Sequence, residues 1–296
     1  MYQDVARELS DFMELSGKSQ QQIAKETTLS TSVISQFLNQ SYKGNNEEVA
    51  KTISKYLELA RLRISGTDHV CFYEDMRNTK SVLFACFHAH IHGDIALVYG
   101  DAGAGKTTAL EHYVGSRPGV VMVTANACTS SASSILQLIG RKTGKTLAGR
   151  KENLMASLVD YFRNTGRLII IDEADHLTMT ALQAVRNLND ESGVGIVLSG
   201  NNKIYTQMLN GPKCSELEQF RTRIVVRRMV RNEYQIEEFQ KIFPYVPEMC
   251  LPYLIKLATD ESLRTAIKIL ELAYDYTDRM DIKTLQMVRM QLTEGL

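Results

Sequence analysis

The chain is 296 residues long, enough for two or three domains with separate hydrophobic cores. It carries 34 basic and 34 acidic residues, so its formal net charge is zero and only a local basic patch can support nucleic-acid binding. Five scattered cysteines form no C-x-x-C pair, which argues against a disulfide framework and favours reduced thiols in a cytoplasmic protein. No apolar run approaches a membrane span and no signal-peptide pattern is present, so we expect no membrane partner.

The first predicted domain, residues 1–62, has the apolar spacing of short packed helices. Residues 21–38 fit a helix-turn-helix in which Ser30 or Thr31 caps the second helix. Thr28 stands in the turn where such motifs usually carry glycine. A helical interaction module without a DNA role is the alternative. The residues expected to face the DNA major groove or its phosphates are Ser32, Ser35 and Gln36.

Residues 63–76 form a less regular stretch that we interpret as a linker, and a helix is predicted over 77–91. Strands and helices then alternate through an α/β core at 77–231, which predicts a parallel sheet covered on both faces. Residues 232–296 are again helical in pattern. The predicted strands are 95–99, 120–125, 168–172, 195–199 and 224–230, the helices between them 107–114, 132–143, 152–164 and 178–190, and the last helices 232–242, 248–259, 262–276 and 281–293.

The first strand runs into residues 100–107, Gly-Asp-Ala-Gly-Ala-Gly-Lys-Thr, which fit the phosphate-binding loop pattern G-x-x-x-x-G-K-[ST]. Glycines let backbone N–H groups approach a phosphate, and the following helix presents its positive end to the same anion. We expect Lys106 to reach the β- and γ-phosphates of ATP and Thr107 to bind Mg²⁺. A chance glycine-rich turn would not explain the flanking strand and helix. The predicted nucleotide-binding residues are Gly100, Asp101, Ala102, Gly103, Ala104, Gly105, Lys106, Thr107 and Thr108.

A basic segment separates the predicted helices 132–143 and 152–164, and five of the eleven residues at 141–151 are lysine or arginine. Glycine and threonine lie among these cations, which suits contacts with a DNA backbone that read no bases. We therefore predict non-specific binding of double-stranded DNA by this segment, with an ordinary solvated loop as the alternative. The predicted contacts are Lys142, Lys145, Arg150 and Lys151.

The strand at 168–172 is an apolar run that ends in two carboxylates, Asp172 and Glu173. In an open parallel sheet, functional side chains lie beyond the carboxyl ends of the strands, where the phosphate loop also lies. We expect Asp172 to hold Mg²⁺ through its water shell and Glu173 to deprotonate the water that attacks the γ-phosphate. Adjacent surface acids are the alternative, which the preceding apolar strand disfavours.

The next predicted strand ends in Gly200-Asn201-Asn202. A polar side chain at this strand tip is placed to hydrogen-bond the γ-phosphate or the attacking water. Asn201 is the first candidate and Asn202 the second, and an ordinary Gly-Asn turn is the alternative.

Five arginines lie within residues 221–231. We expect one of them to reach the γ-phosphate of a neighbouring subunit and stabilise the charge of the transition state. Arg223 is the preferred candidate, although the sequence does not separate it from Arg221. A solvated basic face is the alternative.

These motifs, in this order, resemble the AAA+ ATPase superfamily. Residues 169–177, and Gly200-Asn201 followed by Ile204-Tyr205, resemble the transposition target-selection ATPases of the phage Mu B type and of Tn7- and IS21-type elements. The resemblance implies a P-loop α/β AAA+ core, a C-terminal helical lid at 232–296, and ATP with Mg²⁺ bound between subunits. It also implies assembly into a ring or helical filament on DNA, a transposase partner, and a bacterial or phage-infected host cytoplasm.

The same resemblance assigns two further positions. Asn201 matches the asparagine called sensor 1, and Arg264 matches the lid arginine called sensor 2, which contacts phosphate within its own subunit. Here the chain departs from the usual pattern, because Glu261 stands where the family has glycine.

The sequence therefore predicts an ATP-dependent, non-sequence-specific DNA-binding ATPase that oligomerises on DNA, delivers target sites to a transposase and activates strand transfer. A helicase loader or replication-initiator ATPase is one alternative, because it shares every nucleotide motif. A regulatory switch ATPase that binds one operator through the helix-turn-helix is the other.

Overall fold

The structure is a computed structural model that describes residues 2–65, 70–144, 151–209, 218–277 and 280–293. The chain divides into two compact units, residues 1–70 with 271–280 and residues 71–270 with 281–296. Within the part of the chain that the structure describes, none of the helices combines the length and apolar character that a membrane crossing requires.

Residues 2–65 of the first unit fold into helices around one apolar cluster. Leu9, Ile23, Ile34, Phe37 and Ile53 are buried in it, so every helix contributes to the core. The last helix continues three residues into the predicted linker, of which residues 66–69 lie outside the described ranges. The helices are α1 (Tyr2–Ser16), α2 (Gln20–Thr27), α3 (Thr31–Leu38) and α4 (Asn46–Ser65).

The turn between α2 and α3 forms without glycine. Ser30 caps α3, because its side chain accepts the N–H of Val33 at 3.2 Å. Thr28 takes the left-handed conformation with φ +61°, at a cost of about 1–2 kcal/mol for a residue with a Cβ. The strained backbone of Thr28 thus takes the place of a glycine in this turn. DNA binding by α2 and α3 stays a prediction.

The second unit contains a five-stranded parallel sheet in the order β2-β3-β4-β1-β5. Because all strands point the same way, their carboxyl ends share one side of the sheet, called here the carboxyl edge, and their amino ends share the opposite amino edge. Each strand agrees with its prediction to within one residue. The strands are β1 (Ile95–Gly100), β2 (Val120–Thr124), β3 (Leu168–Asp172), β4 (Gly195–Gly200) and β5 (Ile224–Val230).

Helices cover both faces of this sheet, as predicted. The β3 side chains show why its sequence is a continuous apolar run: Ile169 and Ile171 pack into one core cluster, and Leu168 and Ile170 into the other. The helices are α5 (Arg77–His92), α6 (Lys106–Ser116), α7 (Ala132–Lys142), α8 (Lys151–Phe162), α9 (Met179–Ser192), α10 (Asn202–Leu209) and α11 (Glu218–Arg223). The first cluster includes α7, α8 and α9, and the second includes α5 and α6. The short helices α10 and α11 had not been predicted.

Further helices follow β5, close to their predicted positions. Phe239, Leu254 and Leu257 are among their buried apolar residues. The role of residues 232–296 as a lid stays a prediction. The helices described here are α12 (Ile236–Ile242), α13 (Leu251–Asp260), α14 (Leu263–Tyr276) and α15 (Ile282–Thr293).

Candidate nucleotide site

The candidate site is built around the loop that joins β1 to α6 at the carboxyl edge. Gly100, Gly103 and Gly105 have φ angles of +142°, +68° and +88°, which only glycine adopts readily. A Cβ built on Gly100 would lie 1.8 Å from the carbonyl oxygen of Val230, so no larger residue fits there. The nine predicted nucleotide-binding residues, 100–108, run from the last residue of β1 through this loop into the first turn of α6, an arrangement whose backbone N–H groups suit an anion.

Lys106 begins α6 and folds its side chain over the loop. Its Nζ donates to the carbonyl oxygens of Gly100 at 3.1 Å and Asp101 at 2.7 Å. Burial lowers the pKa of this ammonium group, and the nearby carboxylates of Asp172 and Glu173 partly oppose that effect. Because the ammonium group is partly removed from water, its attraction for a phosphate is screened less than on an open surface.

Thr107 and Asp172 join the loop to the end of β3. The Thr107 hydroxyl donates to Asp172 Oδ2 at 2.7 Å, and Asp172 is only 2% exposed. Both side chains offer hard oxygen donors, the ligand type that Mg²⁺ prefers. The two predicted metal-binding residues therefore lie together and fit that ion.

Glu173 follows Asp172 in a different environment. Its backbone is left-handed with φ +52°, a conformation that costs a non-glycine residue about 1–3 kcal/mol and tends to occur at functional sites. The chain leaves the sheet here in a short 3₁₀ turn, Ala174–His176. Glu173 is exposed while Asp172 is buried. The pair thus combines a shielded carboxylate suited to a metal with an accessible carboxylate suited to water.

Asn201 follows β4 at the same edge and is held at both ends of its amide. Its Nδ2 donates to Asp175 Oδ2 at 2.8 Å, and its Oδ1 accepts the N–H of Lys203 at 2.8 Å. Asn202, the second candidate, is exposed, with its Nδ2 3.4 Å from Asp101 Oδ1. Asp175 was not a predicted site residue, and its signal in the sequence was a third acid shortly after the Asp-Glu pair.

Asn232 is a second site residue that sequence analysis missed. Its N–H donates to Asp101 Oδ2 at 2.9 Å, and its Nδ2 donates to the carbonyl oxygen of Ala102 at 3.2 Å. The hydroxyl of Tyr234 donates to Asn232 Oδ1 at 2.8 Å, and burial strongly raises the pKa of that tyrosine. These contacts tie the phosphate loop to the segment after β5, which explains why the loop carries an aspartate after its first glycine.

Arg264 lies at the start of α14, next to the loop. Its backbone N–H donates to the carbonyl oxygen of Gly103 at 3.3 Å, and its side chain is exposed. A cleft of about 700 Å³ opens beside the loop and is lined in part by Asn201, Thr259 and Glu261. This volume is in the usual range for small-molecule sites. The phosphate contact of Arg264 stays a prediction.

Arg223 lies away from this group. It ends α11 just before β5, whose first residue pairs with Ile95 at the start of β1. The phosphate loop follows the other end of β1, a strand of six residues that spans about 20 Å. Arg223 Nε is 3.0 Å from Asp190 Oδ1, and its side chain is 58% exposed. Arg223 therefore belongs to the amino edge and is not brought together with the loop of its own chain.

The structure describes four of the seven predicted DNA-binding side chains. Lys142 is exposed at the end of α7. Lys145, Arg150 and the side chain of Lys151 lie outside the described residues. In the first unit, α3 carries the other predicted contacts; Ser32 and Gln36 are exposed and Ser35 is half-buried.

The comparisons with known proteins agree with this architecture. The AAA domain family matches residues 90–208. The solved structure of the Walker-type ATPase of Pyrococcus abyssi matches this chain with a TM-score of 0.50 and 14% identity, over 76% of this chain and 73% of its own. At that identity the likeness shows a shared fold only.

Two relatives are considerably more similar in sequence. The Mu-like prophage FluMu DNA transposition protein B of Haemophilus influenzae is 34% identical over 194 residues, which are 65% of this chain and 68% of that protein. The ATP-dependent target DNA activator B of Escherichia phage Mu is 31% identical over 230 residues, 77% of this chain and 73% of that protein. This chain therefore belongs to the family of Mu-type transposition B proteins.

Proposed function

We propose that this protein is an ATPase that binds DNA in an ATP-dependent manner and activates that DNA as a target for a transposase. The names of its relatives support this role, since one is an ATP-dependent target DNA activator and the other a DNA transposition protein. The observation that carries the ATPase part is the 2.7 Å contact between Thr107 and Asp172, because it joins the phosphate loop to the carboxylate that ends β3.

Binding of the triphosphate is assigned to the loop and to Lys106. Backbone N–H groups of residues 100–107 surround the β-phosphate, and Lys106 exchanges its two carbonyl partners for phosphate oxygens. Thr107 would bind Mg²⁺ directly and Asp172 through its water shell. Mg²⁺ bound there supplies positive charge beside the β- and γ-phosphates.

Hydrolysis is assigned to Glu173 and Asn201. The exposed Glu173 carboxylate accepts a proton from water as that water attacks the γ-phosphorus, and the bond to the β-phosphate oxygen breaks. Asn201 donates an amide hydrogen to the γ-phosphate or to the attacking water. The products are ADP and inorganic phosphate, with the proton left on Glu173.

The active site is proposed to be completed by a second copy of the chain. The 58% exposed Arg223 side chain supports this arrangement, because the arginine faces outward at the edge opposite its own phosphate loop. A heterologous contact of this kind repeats into a ring or a helical filament. Arg264 is proposed to contact phosphate from the lid of the same chain.

DNA is proposed to bind chiefly to the basic segment 141–151, which begins at the end of α7. Lys142 is exposed there, and the cations that follow it in the sequence suit backbone contacts that read no bases. Exposed polar residues of α3 supply a second contact. ATP binding would stabilise the assembly on DNA, and hydrolysis would loosen it.

The proposal is tested with Glu173→Gln, which removes the base and keeps the side-chain shape. The variant should bind ATP normally, lose turnover by roughly 10²–10⁴-fold, and stay on DNA in ATP longer than wild type. Dissociation from fluorescent duplex of mixed sequence measures this, with strand transfer by the cognate transposase as the second readout. Glu111→Gln, at an exposed glutamate of α6, is the matched control.

Wild-type dissociation rates in the Glu173→Gln variant would contradict release by hydrolysis. Binding restricted to one DNA sequence would favour a regulatory switch. A tight complex with a replicative helicase, and no effect on strand transfer, would favour a helicase loader.

A further inference from the structure

We propose that Asp175 is a positioning residue that orients Asn201, so that it controls the rate of hydrolysis and not the affinity for nucleotide. This inference deepens the proposed ATPase function and rests on it. Asp175 would touch neither ATP nor the attacking water, and would act entirely through the asparagine at the tip of β4.

The Asp175 carboxylate accepts two hydrogen bonds from Asn201, one on each oxygen. Asp175 Oδ1 accepts the backbone N–H of Asn201 at 3.3 Å, and Oδ2 accepts Asn201 Nδ2 at 2.8 Å. Asp175 is only 8% exposed, so water competes little for these bonds. A carboxylate that holds both the backbone and the side chain of one residue fixes the rotamer of that residue as well as its position.

The same contacts determine which way the amide faces. A carboxylate only accepts hydrogen bonds, so the atom of Asn201 facing Asp175 must be the nitrogen. Its Oδ1 is already used by the N–H of Lys203 at 2.8 Å. The amide nitrogen has two hydrogens and gives one to Asp175, which leaves the second as the donor that can face a phosphate or a water.

Gly200 makes room for this arrangement. A Cβ built on Gly200 would lie 2.7 Å from Asp175 Oδ1, closer than real Cβ contacts allow. The φ of Gly200 is not in the left-handed region, so the close approach of Asp175, and not an unusual turn, requires glycine here. A Gly-Asn pair ordinarily suggests a turn. Here Gly200 leaves space for the Asp175 carboxylate, and Asn201 donates hydrogen bonds to it.

A metal site is the competing explanation for this cluster. Ligand atoms of Glu173, Asp175 and His176 all lie within 4.8 Å of one another. However, both oxygens of Asp175 already accept hydrogen bonds from Asn201, and an ion would have to displace them. The hydrogen bonds favour positioning over metal binding.

The test is a double-mutant cycle in the full chain, with Asp175→Ala, Asn201→Ala and the double variant. Steady-state ATPase assays give kcat and KM, and titration with a fluorescent non-hydrolysable ATP analogue gives Kd. Asp175→Ala should lower kcat roughly 10- to 100-fold, as loss of a supporting hydrogen-bond partner does, with Kd within about twofold of wild type. The double variant should be no slower than Asn201→Ala alone, because the amide side chain that Asp175 orients is absent from both.

Asn189→Ala is the matched control for lost stability. Asn189 is also 8% exposed, but it donates to the carbonyl oxygens of Gly93 and Val194, away from the loop. Its effect on log kcat should add to that of Asn201→Ala. Asp175→Asn is the second variant, for the case in which the alanine variant fails to fold. It keeps the shape of the side chain but places an NH₂ group opposite an N–H group of Asn201, where no hydrogen bond can form. It should reproduce the loss of kcat.

The inference would be overturned by a wild-type kcat in both Asp175 variants, or by losses for Asp175→Ala and Asn201→Ala that multiply in the double variant. A parallel rise in Kd would also overturn it, by placing Asp175 in nucleotide binding. Absence of ATP hydrolysis in the wild-type protein would instead defeat the proposed function, so the two failures are distinguishable.

Discussion

The two edges of the central sheet differ in how their charged groups are held. At the carboxyl edge Asp172 is 2% exposed, Lys106 and Thr107 have their partners within the same group of residues, and the exposed Glu173 follows directly after Asp172. At the amino edge the charge is turned outward, since Arg223 is 58% exposed and Asp190 holds its Nε at 3.0 Å. One edge is organised for a ligand, and the other presents a cation on the surface.

The difference indicates how the proposed reaction is divided between copies of the chain. A preorganised group of partly desolvated charges can stabilise developing charge without moving. An exposed arginine on a carboxylate can leave it at little cost, because surface ion pairs contribute only about 0–1 kcal/mol. Arg223 is thus held in place without being tightly retained, which suits the proposed contact with a second chain.

The largest expected effect comes from two variants, each of which inactivates only one of the two edges. Arg223→Ala should lower kcat by roughly 10³-fold or more, the usual contribution of an arginine that acts between subunits. Glu173→Gln is impaired at the other edge. Mixing the two inactive variants in equal amounts should restore roughly a quarter of wild-type turnover, because random assembly pairs an intact Glu173 with an intact Arg223 at that fraction of contacts.

Coupled measurement of phosphate release checks this, with Arg163→Ala, at an exposed arginine of the same unit, expected to keep the wild-type rate. If the mixture stays inactive while each variant still assembles, Arg223 does not act across subunits, and Arg221 becomes the next candidate.

A smaller effect tests the carboxyl edge alone. Lys106→Ala should weaken nucleotide binding by about 100-fold or more, because it leaves phosphate charge without its fixed partner. Stable binding to DNA should be lost with it. Titration with a fluorescent ATP analogue gives the affinity, and Lys55→Ala, at an exposed lysine of α4, is the control. Affinity within a few-fold of wild type would contradict the role of Lys106.

Much of this edge was predictable because its signals are local. The loop glycines, the apolar run of β3 and the acids after it are each contiguous in sequence, and β3 was predicted over the residues it occupies. A strand buried on both faces and a helix start that binds phosphate leave short, recognisable patterns. The helices on both faces followed from the alternation of strands and helices.

The rest depends on strand order, which no local pattern contains. Asp175 meets Asn201 across 26 residues because β4 lies beside β3, and Asp101 meets Asn232 across 131 residues because β5 lies beside β1. These contacts connect polar residues that look like ordinary turn or loop residues in the sequence. The short helices α10 and α11 were also missed, because a helical period is hard to recognise over eight and six residues.

DNA binding by the basic segment 141–151 is expected to be independent of both edges of the sheet. Removing Lys142, or Arg150 with Lys151, should flatten the slope of log affinity against log salt by roughly one unit per cation. The loss should be equal on AT-rich and GC-rich duplexes, because phosphates carry no base identity. Fluorescence anisotropy across a salt series measures it, with Lys241→Ala, at an exposed lysine of α12, as the control.

Nucleotide affinity and turnover should stay at wild-type values in these variants. An unchanged salt slope, together with loss of DNA binding on substitution of Ser32 and Gln36, would move the main DNA contact to the first unit.

The smallest expected effect is a pH dependence at His90. Burial lowers the pKa of His90 below its ordinary 6.5, although a hydrogen bond with the backbone of Gly166 opposes the shift, and its Nδ1 lies 3.1 Å from the Tyr113 hydroxyl. Below pH 6.5 the unfolded chain takes up a proton that the folded chain does not, so the free energy of unfolding should fall as the pH is lowered through that range and be fully recovered above it. His90→Gln should flatten this acid slope in urea unfolding curves recorded from pH 7 downward, while leaving ATP affinity unchanged, because Lys106 and Asp172 are not its partners.

His92→Gln, at an exposed histidine of the same helix, controls for removal of an imidazole. If the acid slope survives His90→Gln unaltered, the pH response of the folded protein originates elsewhere. If ATP affinity changes with it, α5 is coupled to the phosphate loop, and the two edges are less independent than their charges suggest.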